Sequence, residues 1–324
     1  MEPLLKVKNL KTYFHTDEGV IRAVDGVDFT LDYRSVVGIV GESGSGKSVT
    51  SLSILRLVPP PGKIMDGEIL LEGNDLLKLK EYQMRNIRGS KISMIFQDPM
   101  TALNPVITIG EQVSEALLAH QDITKEGAGK RAVKLLETVK IPDAGKRFYD
   151  YPHQFSGGMR QRVMIAMALA CNPAVLIADE PTTALDVSIQ AQILELMRSV
   201  LKEFGTSIIL ITHNLGIVAE ICNHVYVMYG GIFVEWGKIL EIFNEPKHPY
   251  TAGLLASIPK IDEEGKESLT SIEGSPPVVT EPVVGCIFKD RCPYVMDVCK
   301  AESPPVVRLN EGHFVRCYKV YVKT

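Results

Sequence analysis

The sequence predicts an α/β fold, and three observations lead to this class. Short runs rich in β-branched residues alternate with helical patterns over residues 1 to about 240. Three of the runs, at residues 35–40, 174–178 and 207–212, are apolar throughout most of their length, as strands buried on both faces are. Between the last two runs, apolar residues recur at helical spacing, which indicates an amphipathic helix joining parallel strands.

Composition and charge narrow the class of function. The chain has 324 residues, of which 45% are hydrophobic and 23% charged, as in ordinary globular proteins. Its 35 Lys and Arg residues and 39 Asp and Glu residues give a net charge of −4, which disfavours a nucleic-acid binder with a strongly basic surface. No apolar run approaches the ~20 residues of a membrane-spanning helix, and the N-terminus lacks the pattern of a secretory signal. We therefore expect a cytoplasmic chain that reaches a membrane only through a partner.

The pattern changes twice along the chain. Residues 108–171 show helical spacing, for example at Ile109, Val113 and Leu117, with no strand pattern between the helices, which predicts a helical insertion in the α/β core. From about residue 243 the content of proline, glycine and charge rises, and residues 261–266 are typical of a linker. We expect this last region to have little core of its own. The predicted domains are an α/β core at 1–97 and 161–242, a helical subdomain at 98–160 and a C-terminal extension at 243–324.

Residues 41–48, Gly-Glu-Ser-Gly-Ser-Gly-Lys-Ser, match the phosphate-binding pattern G-x-x-x-x-G-K-[ST]. The match follows a predicted strand and opens a predicted helix at 49–57, which is the context that the motif needs and that a chance glycine-rich turn lacks. Backbone N–H groups and the helix N-terminus would surround the phosphates, Lys47 would reach the β- and γ-phosphates, and the Ser48 hydroxyl would ligate Mg²⁺. The residues predicted to bind ATP here are Gly41, Ser43, Gly44, Ser45, Gly46, Lys47 and Ser48.

Two acidic residues follow the predicted strand at 174–178. Asp179 can hold Mg²⁺ through a water molecule, and Glu180 can polarise the water that attacks the γ-phosphate. Two acidic residues at a strand end are common in solvated turns, but here they accompany a phosphate loop. We therefore expect Asp179 to serve the metal and Glu180 to be the catalytic base.

Ser156, Gly157 and Gly158 begin the run Ser-Gly-Gly-Met-Arg-Gln-Arg, which precedes an apolar helical stretch at 163–170. The run closely resembles the signature motif of ATP-binding cassette (ABC) ATPases. A serine at this place can also cap the helix, and two glycines leave N–H groups open to an anion. The resemblance implies that Ser156, Gly157 and Gly158 bind the γ-phosphate of ATP held by the other subunit.

The remaining cassette motifs occur in the order expected from this resemblance. Gln97 is similar to the glutamine of the Q-loop, which touches Mg²⁺ and the transmembrane partner, and Asp186 ends a run similar to the D-loop. His213 resembles the switch histidine that contacts the γ-phosphate. Phe14 stands where the family stacks an aromatic ring on adenine, with Tyr13 as a neighbouring candidate and a core position as the alternative. Phe155 and Thr183 replace a more usual leucine and serine, and neither change removes a catalytic group.

The resemblance implies an α/β, P-loop NTPase (RecA-like) core with an antiparallel β subdomain and a helical subdomain. Within the family, residues 96–105, 248–251 and 274–277 are similar to segments of oligopeptide and dipeptide importers, although related systems carry nickel, sugars or other solutes. The implied function is that of an ATP-hydrolysing, energy-coupling subunit on the cytoplasmic face of the cell membrane. The implied partners are two permease subunits, a second cassette and an extracytoplasmic solute-binding protein, without nucleic acid. We expect a heterodimer of cassettes, and the sequence leaves a homodimer open.

Two other functions are alternatives to that of an importer subunit. Soluble ABC ATPases of DNA repair or translation insert long coiled coils, zinc modules or a second cassette, whereas this chain has a single cassette with one helical insertion. A regulatory nucleotide binder without catalysis would lack groups such as Glu180 and His213. Both alternatives are therefore disfavoured.

Four of the six cysteines lie in the last 40 residues, with the spacing C-x₅-C-x₆-C-x₁₇-C. In a cytoplasmic chain metal binding is favoured over disulfides, but structural zinc sites use C-x₂₋₄-C pairs, which are absent here. Clusters of the [4Fe–4S] type take four cysteines at wider spacing, and some cassettes of peptide importers carry such a set. We expect a [4Fe–4S] cluster of structural role, with zinc or a metal-free tail as alternatives, on the residues Cys286, Cys292, Cys299 and Cys317.

Overall fold

The computed structural model describes residues 2–98, 102–183, 186–258 and 272–321. Some predicted features lie outside these residues, namely the linker at 261–266, residues 99–101 of the Q-loop run and residues 184–185 of the D-loop run. The chain divides into two compact units, the first formed by residues 1–31, 36–77 and 210–324 and the second by residues 32–35 and 78–209.

Strands and helices alternate along the chain, as the sequence predicts. The strands are β1 (Leu5–Thr16), β2 (Gly19–Leu31), β3 (Val36–Val40), β4 (Gly62–Leu71), β5 (Asn74–Asp75), β6 (Ile92–Ile95), β7 (Val175–Asp179), β8 (Ser207–Thr212), β9 (His224–Tyr229), β10 (Ile232–Lys238), β11 (Val306–Arg308) and β12 (His313–Arg316). The helices are α1 (Lys47–Ile54), α2 (Glu81–Ile87), α3 (Ile109–His120), α4 (Lys125–Thr138), α5 (Ala144–Arg147), α6 (Gly157–Leu169), α7 (Val187–Phe204), α8 (Leu215–Ile221), α9 (Ile239–Asn244), α10 (Pro249–Ala256), α11 (Asp297–Ala301) and α12 (Tyr318–Tyr321). Among the described residues, none of the helices is both long and apolar enough to cross a membrane.

The first unit contains an antiparallel four-stranded sheet in the order β2-β1-β4-β5, which confirms the antiparallel β subdomain that the resemblance implied. The same unit holds the strand before the phosphate loop. That strand, β3, is buried at all five positions and pairs in parallel with β9, while β10 runs antiparallel to β9. Full burial explains why β3 is apolar at every position instead of alternating.

The second unit contains the parallel pair of β6 and β7, in which Ile95 lies opposite Ala178. The described residues between these two strands contain helices and no strand. Two of these helices begin at threonine caps, since the Thr108 hydroxyl accepts from the Glu111 N–H at 3.4 Å and the Thr124 hydroxyl from the Gly127 N–H at 3.1 Å. The helical insertion predicted from spacing is therefore present, and threonine side chains satisfy backbone N–H groups at the start of two of its helices.

The region after residue 243 packs against β10. β12 pairs antiparallel with β10, and the rings of Trp236 and Phe314 on these strands stack with their centroids 5.4 Å apart. Tyr250 and Phe288 are 2% exposed or less. These contacts, which its prolines and glycines gave no reason to expect, attach the region to β10, and the expectation that it has little core of its own stays a prediction.

A buried carboxylate fixes the path of the chain into this region. Glu235 on β10 is fully buried. Its carboxylate accepts from the backbone N–H groups of Lys247 and His248 at 2.7 and 2.9 Å, and it meets Nε2 of His313 at 2.7 Å. A buried carboxylate needs such partners to offset its desolvation, and here they join the start of α10 to β12.

Candidate nucleotide site

The phosphate loop lies between β3 and α1, in the context that the motif requires. Helix α1 begins at Lys47, two residues before the predicted start at residue 49, because Gly46 is its N-cap and adopts φ +107°. A side chain at Gly46 would meet the Ala23 carbonyl at 2.2 Å, so only glycine fits this position. Because Gly46 has no side chain, it cannot cap the helix, and the N-terminus of α1 can bind an anion through backbone N–H groups.

The side chain of Lys47 points back along the loop. It is 5% exposed, and its ammonium group donates to the carbonyls of Gly41 and Glu42 at 2.9 and 2.8 Å. Ser43 and Gly44, at the tip of the loop, are exposed. The base of the loop is thus buried and its tip is exposed. The ammonium group of Lys47 lies against two backbone carbonyls, within reach of the tip.

The two aromatic candidates for adenine stacking have different surroundings. The Tyr13 hydroxyl donates to Asp25 at 2.6 Å and accepts from Arg22 at 3.1 Å, and burial together with the Asp25 bond raises the pKa of Tyr13 to about 12. Phe14 lies opposite Gly62 of β4 and is half-buried. Consecutive residues of a strand face opposite sides. The Tyr13 side chain hydrogen-bonds within a polar cluster on one face, and the Phe14 ring, which has no polar group, lies on the other face.

The two acidic residues predicted to serve Mg²⁺ and hydrolysis lie at and just after the end of β7, beside the end of β6. Asp179 is the last residue of β7 and is 4% exposed. Glu180 follows with φ +47°, and its Oε2 atom accepts from the Gln97 amide at 3.0 Å and from the Thr183 hydroxyl at 2.9 Å. Parallel strands bring their carboxyl ends to one edge, so the two residues that were predicted separately, Gln97 and Glu180, meet. The sequence did not predict the Thr183 contact.

The signature residues open α6. Ser156 is its N-cap and accepts from the Met159 N–H at 3.4 Å, as the capping alternative expected. Ser156 and Gly157 are exposed, whereas a side chain at Gly158 would approach Ile189 of α7 to 2.8 Å. The two glycines therefore differ: Gly158 allows close helix packing, and Gly157 keeps the exposed helix start uncovered.

Asp186 and His213 each stand next to a helix start. Asp186 caps α7, since its Oδ1 atom accepts from the Ile189 N–H at 2.9 Å and from the Ser188 hydroxyl at 2.7 Å; the Ser188 bond is the main reason that its pKa is lowered. His213 is exposed directly after β8. These contacts explain Asp186 as a helix cap and leave its predicted nucleotide role as a prediction.

The four clustered cysteines line one cavity, together with Phe288 and Tyr294. None of the six cysteines, all within the described residues, forms a disulfide. Burial raises the pKa of Cys286 to about 11 and also raises those of Cys292 and Cys317. In the part of the chain that the structure describes, no group of three or more His, Cys, Asp or Glu side chains is arranged to hold a metal ion. The predicted thiols therefore converge, and the predicted metal is not supported by their present arrangement.

Comparisons with known proteins agree with these motifs. Residues 24–183 match the family model for ABC transporters, and residues 234–299 match that for the C-terminal region of oligopeptide/dipeptide transporters. The chain is 54% identical to the oligopeptide transport ATP-binding protein OppD of Bacillus subtilis over 98% of this chain and 89% of the relative. It is 48% identical to the OppD protein of Salmonella typhimurium over 98% of this chain and 93% of the relative.

Solved structures of ATP-binding cassettes are also similar to this chain. A dimeric ATP-binding cassette in a post-hydrolysis state with ADP and phosphate superposes with a TM-score of 0.66 at 29% identity, covering 72% of this chain and 98% of the cassette. A cassette of a cbiONQ transporter complex from Clostridium perfringens gives a TM-score of 0.64 at 28% identity, covering 76% of this chain and 92% of the cassette.

Proposed function

The chain belongs to the ABC transporter family of ATPases, and from this membership we propose that it is the energy-coupling subunit of an oligopeptide or dipeptide importer. The peptide class is supported by the match of residues 234–299 and by the peptide-transport relatives. The observation that carries ATP hydrolysis is the hydrogen bond of 3.0 Å between Gln97 and Glu180 at the ends of two adjacent strands. A carboxylate and an amide held together in this way suit the handling of a water molecule and Mg²⁺ in this class of enzyme.

The residues of the loop bind and orient the triphosphate. Lys47 exchanges its bonds to the carbonyls of Gly41 and Glu42 for bonds to phosphate oxygens. The negative charge of the same phosphates is stabilised by the N-terminus of α1, where no side chain caps the helix. The residues that would hold Mg²⁺ are Ser48, Gln97 and Asp179, which all offer oxygen donors as this hard cation requires. The metal would neutralise charge on the β- and γ-phosphates. Phe14 stacks on the adenine.

Glu180 takes the proton of the attacking water as the new bond from the water oxygen to the γ-phosphorus forms and the bond to the β–γ bridging oxygen breaks, with ADP as the leaving group. Its orientation is set by Gln97 and Thr183, which both donate to the same carboxylate oxygen. His213, exposed at the end of β8, contacts the γ-phosphate and stabilises its charge. Hydrolysis therefore depends on a carboxylate that is oriented before the nucleotide arrives.

Two cassettes sandwich each ATP. The support is the exposure of Ser156 and Gly157 at the uncovered start of α6, which suits a phosphate presented by another chain. Residues 41–48 of one cassette and Ser156, Gly157 and Gly158 of the other enclose the nucleotide, with Asp186 at the same interface. We propose that the second cassette is a related, different chain, so that the assembly is a heterodimer.

The permease subunits dock on the helical subdomain at 98–160 and its border. Large apolar side chains are exposed there, including Val106 at 79% and Tyr149 at 71%. The chain segments that carry them lie side by side, because the Ile109 N–H donates to the Asp150 carbonyl at 2.9 Å. Exposed apolar groups of this kind mark interaction surfaces. Two permeases hold the chain peripherally at the cytoplasmic face of the membrane, and a solute-binding protein outside selects the peptide.

The four cysteines of the extension at 243–324 hold a [4Fe–4S] cluster, with zinc as the alternative. The proposal is supported by the donor set, since four thiols line one cavity and tetrathiolate ligation is what such a cluster takes. Metal binding needs thiolates, and burial raises the pKa values of Cys286, Cys292 and Cys317, so binding must release protons and rearrange the side chains. The role is structural, as ATP hydrolysis transfers no electron.

Anaerobic purification tests the cluster. We expect a brown protein with broad absorption near ~400 nm and about four iron and four sulfide per chain. Cys292→Ser should lose the iron, whereas Cys171→Ser, which changes a cysteine outside the set, should keep it. One zinc in place of iron would assign the site to zinc, and a metal-free protein would leave the thiols as a metal-free core.

Reconstitution with membrane subunits tests the importer. The chain should co-purify with two permeases and a second cassette, and its ATP hydrolysis in vesicles should rise when the binding protein is loaded with a short peptide. Stimulation by nickel or a sugar and not by peptides would change the solute class. A chain that hydrolyses ATP but binds nucleic acid or ribosomes and no permease would instead be a soluble ABC ATPase of DNA repair or translation.

A further inference from the structure

The second residue of the phosphate loop is held by an arginine from the cysteine-containing region. Nη1 and Nη2 of Arg291 donate to the two carboxylate oxygens of Glu42 at 2.7 and 2.9 Å. The Arg291 side chain is 6% exposed and that of Glu42 is 26% exposed. A bidentate pair with so little exposure is more strongly coupled and less screened than an ordinary surface ion pair.

A second contact from the same region fixes the backbone of Glu42. Its N–H donates to the hydroxyl oxygen of Tyr250 at 2.8 Å. Tyr250 is fully buried at the start of α10, and its ring packs edge-on against Tyr229 and beside Phe288, with centroids 4.6 and 5.5 Å away. The hydroxyl therefore has little freedom to move, and it sets where the loop leaves β3.

Arg291 is itself anchored on its other side. Its Nε atom donates to the Glu273 carbonyl at 2.8 Å, and Nη2 donates to the carbonyls of Ile272 and Gly274 at 3.2 and 3.1 Å. Its guanidinium also lies 5.7 Å from the centroid of the Tyr229 ring. A lysine could not satisfy both sides at once, because it lacks the planar fork of donors.

The charge of Glu42 gives this arrangement a consequence for nucleotide binding. The loop binds a polyphosphate, so an unpaired carboxylate on its second residue would repel the ligand. Arg291 neutralises that carboxylate and fixes its direction, while Tyr250 fixes the adjoining backbone. We propose that Arg291 is a positioning residue for ATP binding, through which the C-terminal region maintains the phosphate loop in its binding conformation. The inference goes beyond the importer role and rests on the proposed role of residues 41–48.

Equilibrium binding of a fluorescent ATP analogue to the full-length chain tests the inference. Arg291→Gln should raise the Kd of ATP roughly tenfold, within the usual range of coupling between sites. The defect should shrink as ionic strength rises, because part of it is repulsion between Glu42 and the phosphates. Restoring neutrality in the double variant Arg291→Gln/Glu42→Gln should recover most of the affinity, which a general loss of stability would not do.

Controls separate the possible failures. Arg308→Gln changes an arginine of the same region that contacts Phe314 and the Asn310 carbonyl, and it should leave the Kd unchanged. Lys47→Ala should abolish tight binding; if it does not, the assignment of the loop fails. If Lys47→Ala weakens binding and Arg291→Gln, shown to be folded by its thermal unfolding, does not, only the role of Arg291 is rejected.

Two variants cover the case in which Arg291→Gln does not fold. Tyr250→Phe removes only the hydroxyl that accepts from Glu42 and should raise the Kd about threefold, as the loss of one hydrogen bond does. Arg291→Lys keeps the charge but loses the fork, and it should fall between the wild type and Arg291→Gln. An unchanged Kd in both would overturn the proposal, and so would equal Kd increases in Arg291→Gln and in the neutral double variant.

Discussion

Gln97 donates a hydrogen bond to Glu180 across the ends of two parallel strands, at 3.0 Å between the amide nitrogen and the carboxylate oxygen. The Thr183 hydroxyl donates to the same oxygen at 2.9 Å, and Glu180 adopts the left-handed backbone conformation at φ +47°. A non-glycine residue in this conformation is strained by about 1 kcal/mol or more and persists where its surroundings hold it. The carboxylate is thus aimed by its backbone and by two side chains.

The first prediction concerns this carboxylate. Glu180→Gln should retain ATP binding and lose hydrolysis by about 10²–10⁴-fold, because an amide cannot accept the proton of the attacking water. The measurement is steady-state phosphate release by the assembled transporter, with the Kd of ATP measured in parallel. Glu195→Gln, a change on the exposed face of α7 where Glu195 meets Arg198 at 3.4 Å, is the matched control and should hydrolyse normally. Parent-rate hydrolysis by Glu180→Gln would reject Glu180 as the base.

The second prediction concerns the signature. Ser156→Arg should leave ATP binding to the isolated chain nearly unchanged, since Ser156 is exposed at a helix start and acts on the nucleotide of the partner cassette. It should block ATP-driven dimerisation and stimulated hydrolysis, which size-exclusion chromatography and phosphate release would measure. A Kd as weak as that of Lys47→Ala in the isolated Ser156→Arg chain would contradict action in trans.

The third prediction separates Phe14 from Tyr13. Phe14→Ala should weaken ATP binding about 5–100-fold, as the loss of one base–aromatic stacking contact does. Tyr13→Phe is the matched control, because it keeps a ring while it removes the hydroxyl that bonds Asp25, and it should bind ATP normally. Binding of ATP and of a triphosphate without a base should be compared, since only the first depends on stacking. Loss of ATP affinity in Tyr13→Ala and not in Phe14→Ala would reverse the assignment.

The sequence predicted what is local and missed what is distant. The buried strands, the phosphate loop and the end of β7 follow from apolar runs and contiguous motifs, which act over a few residues. The contact of Arg291 with Glu42 joins positions 249 residues apart and has no periodicity to reveal it. The pairing of β12 with β10 was missed for the same reason, because strand register depends on tertiary packing. Only the His-Pro-Tyr-Thr run at 248–251 gave a signal for Tyr250.

A motif residue can also have a local structural role that the motif does not predict. Asp186 was predicted from the D-loop pattern, and it bonds the N–H of Ile189 as the cap of α7. Ser156 likewise caps a helix, α6, and also belongs to the signature motif. Helix caps and anion sites use the same groups at the same helix end, so a sequence pattern alone cannot separate the two roles.

The last prediction concerns the stability of the first unit against acid. His248 is 1% exposed, its Nδ1 atom accepts from the Tyr250 N–H at 3.1 Å, and its ring lies 5.5 Å from that of Phe288. Burial lowers the pKa of His248 from 6.5 to about 4, although the nearby Glu235 carboxylate opposes the shift. Between these values the unfolded chain binds a proton that the folded chain does not, so the free energy of unfolding should fall as the pH falls from about 6.5 to about 4.

The variant His248→Asn isolates this contribution, because its amide oxygen can replace Nδ1 as the acceptor while it carries no titrating group. Urea unfolding of both proteins should be measured from pH 7 to pH 4. The variant is expected to be less stable at pH 7 because it fills the ring site poorly. The difference between the two proteins should then shrink by as much as roughly 3 kcal/mol towards pH 4, since only the wild type loses the stability of a neutral buried imidazole. Parallel curves across this range would show that His248 does not control the acid response.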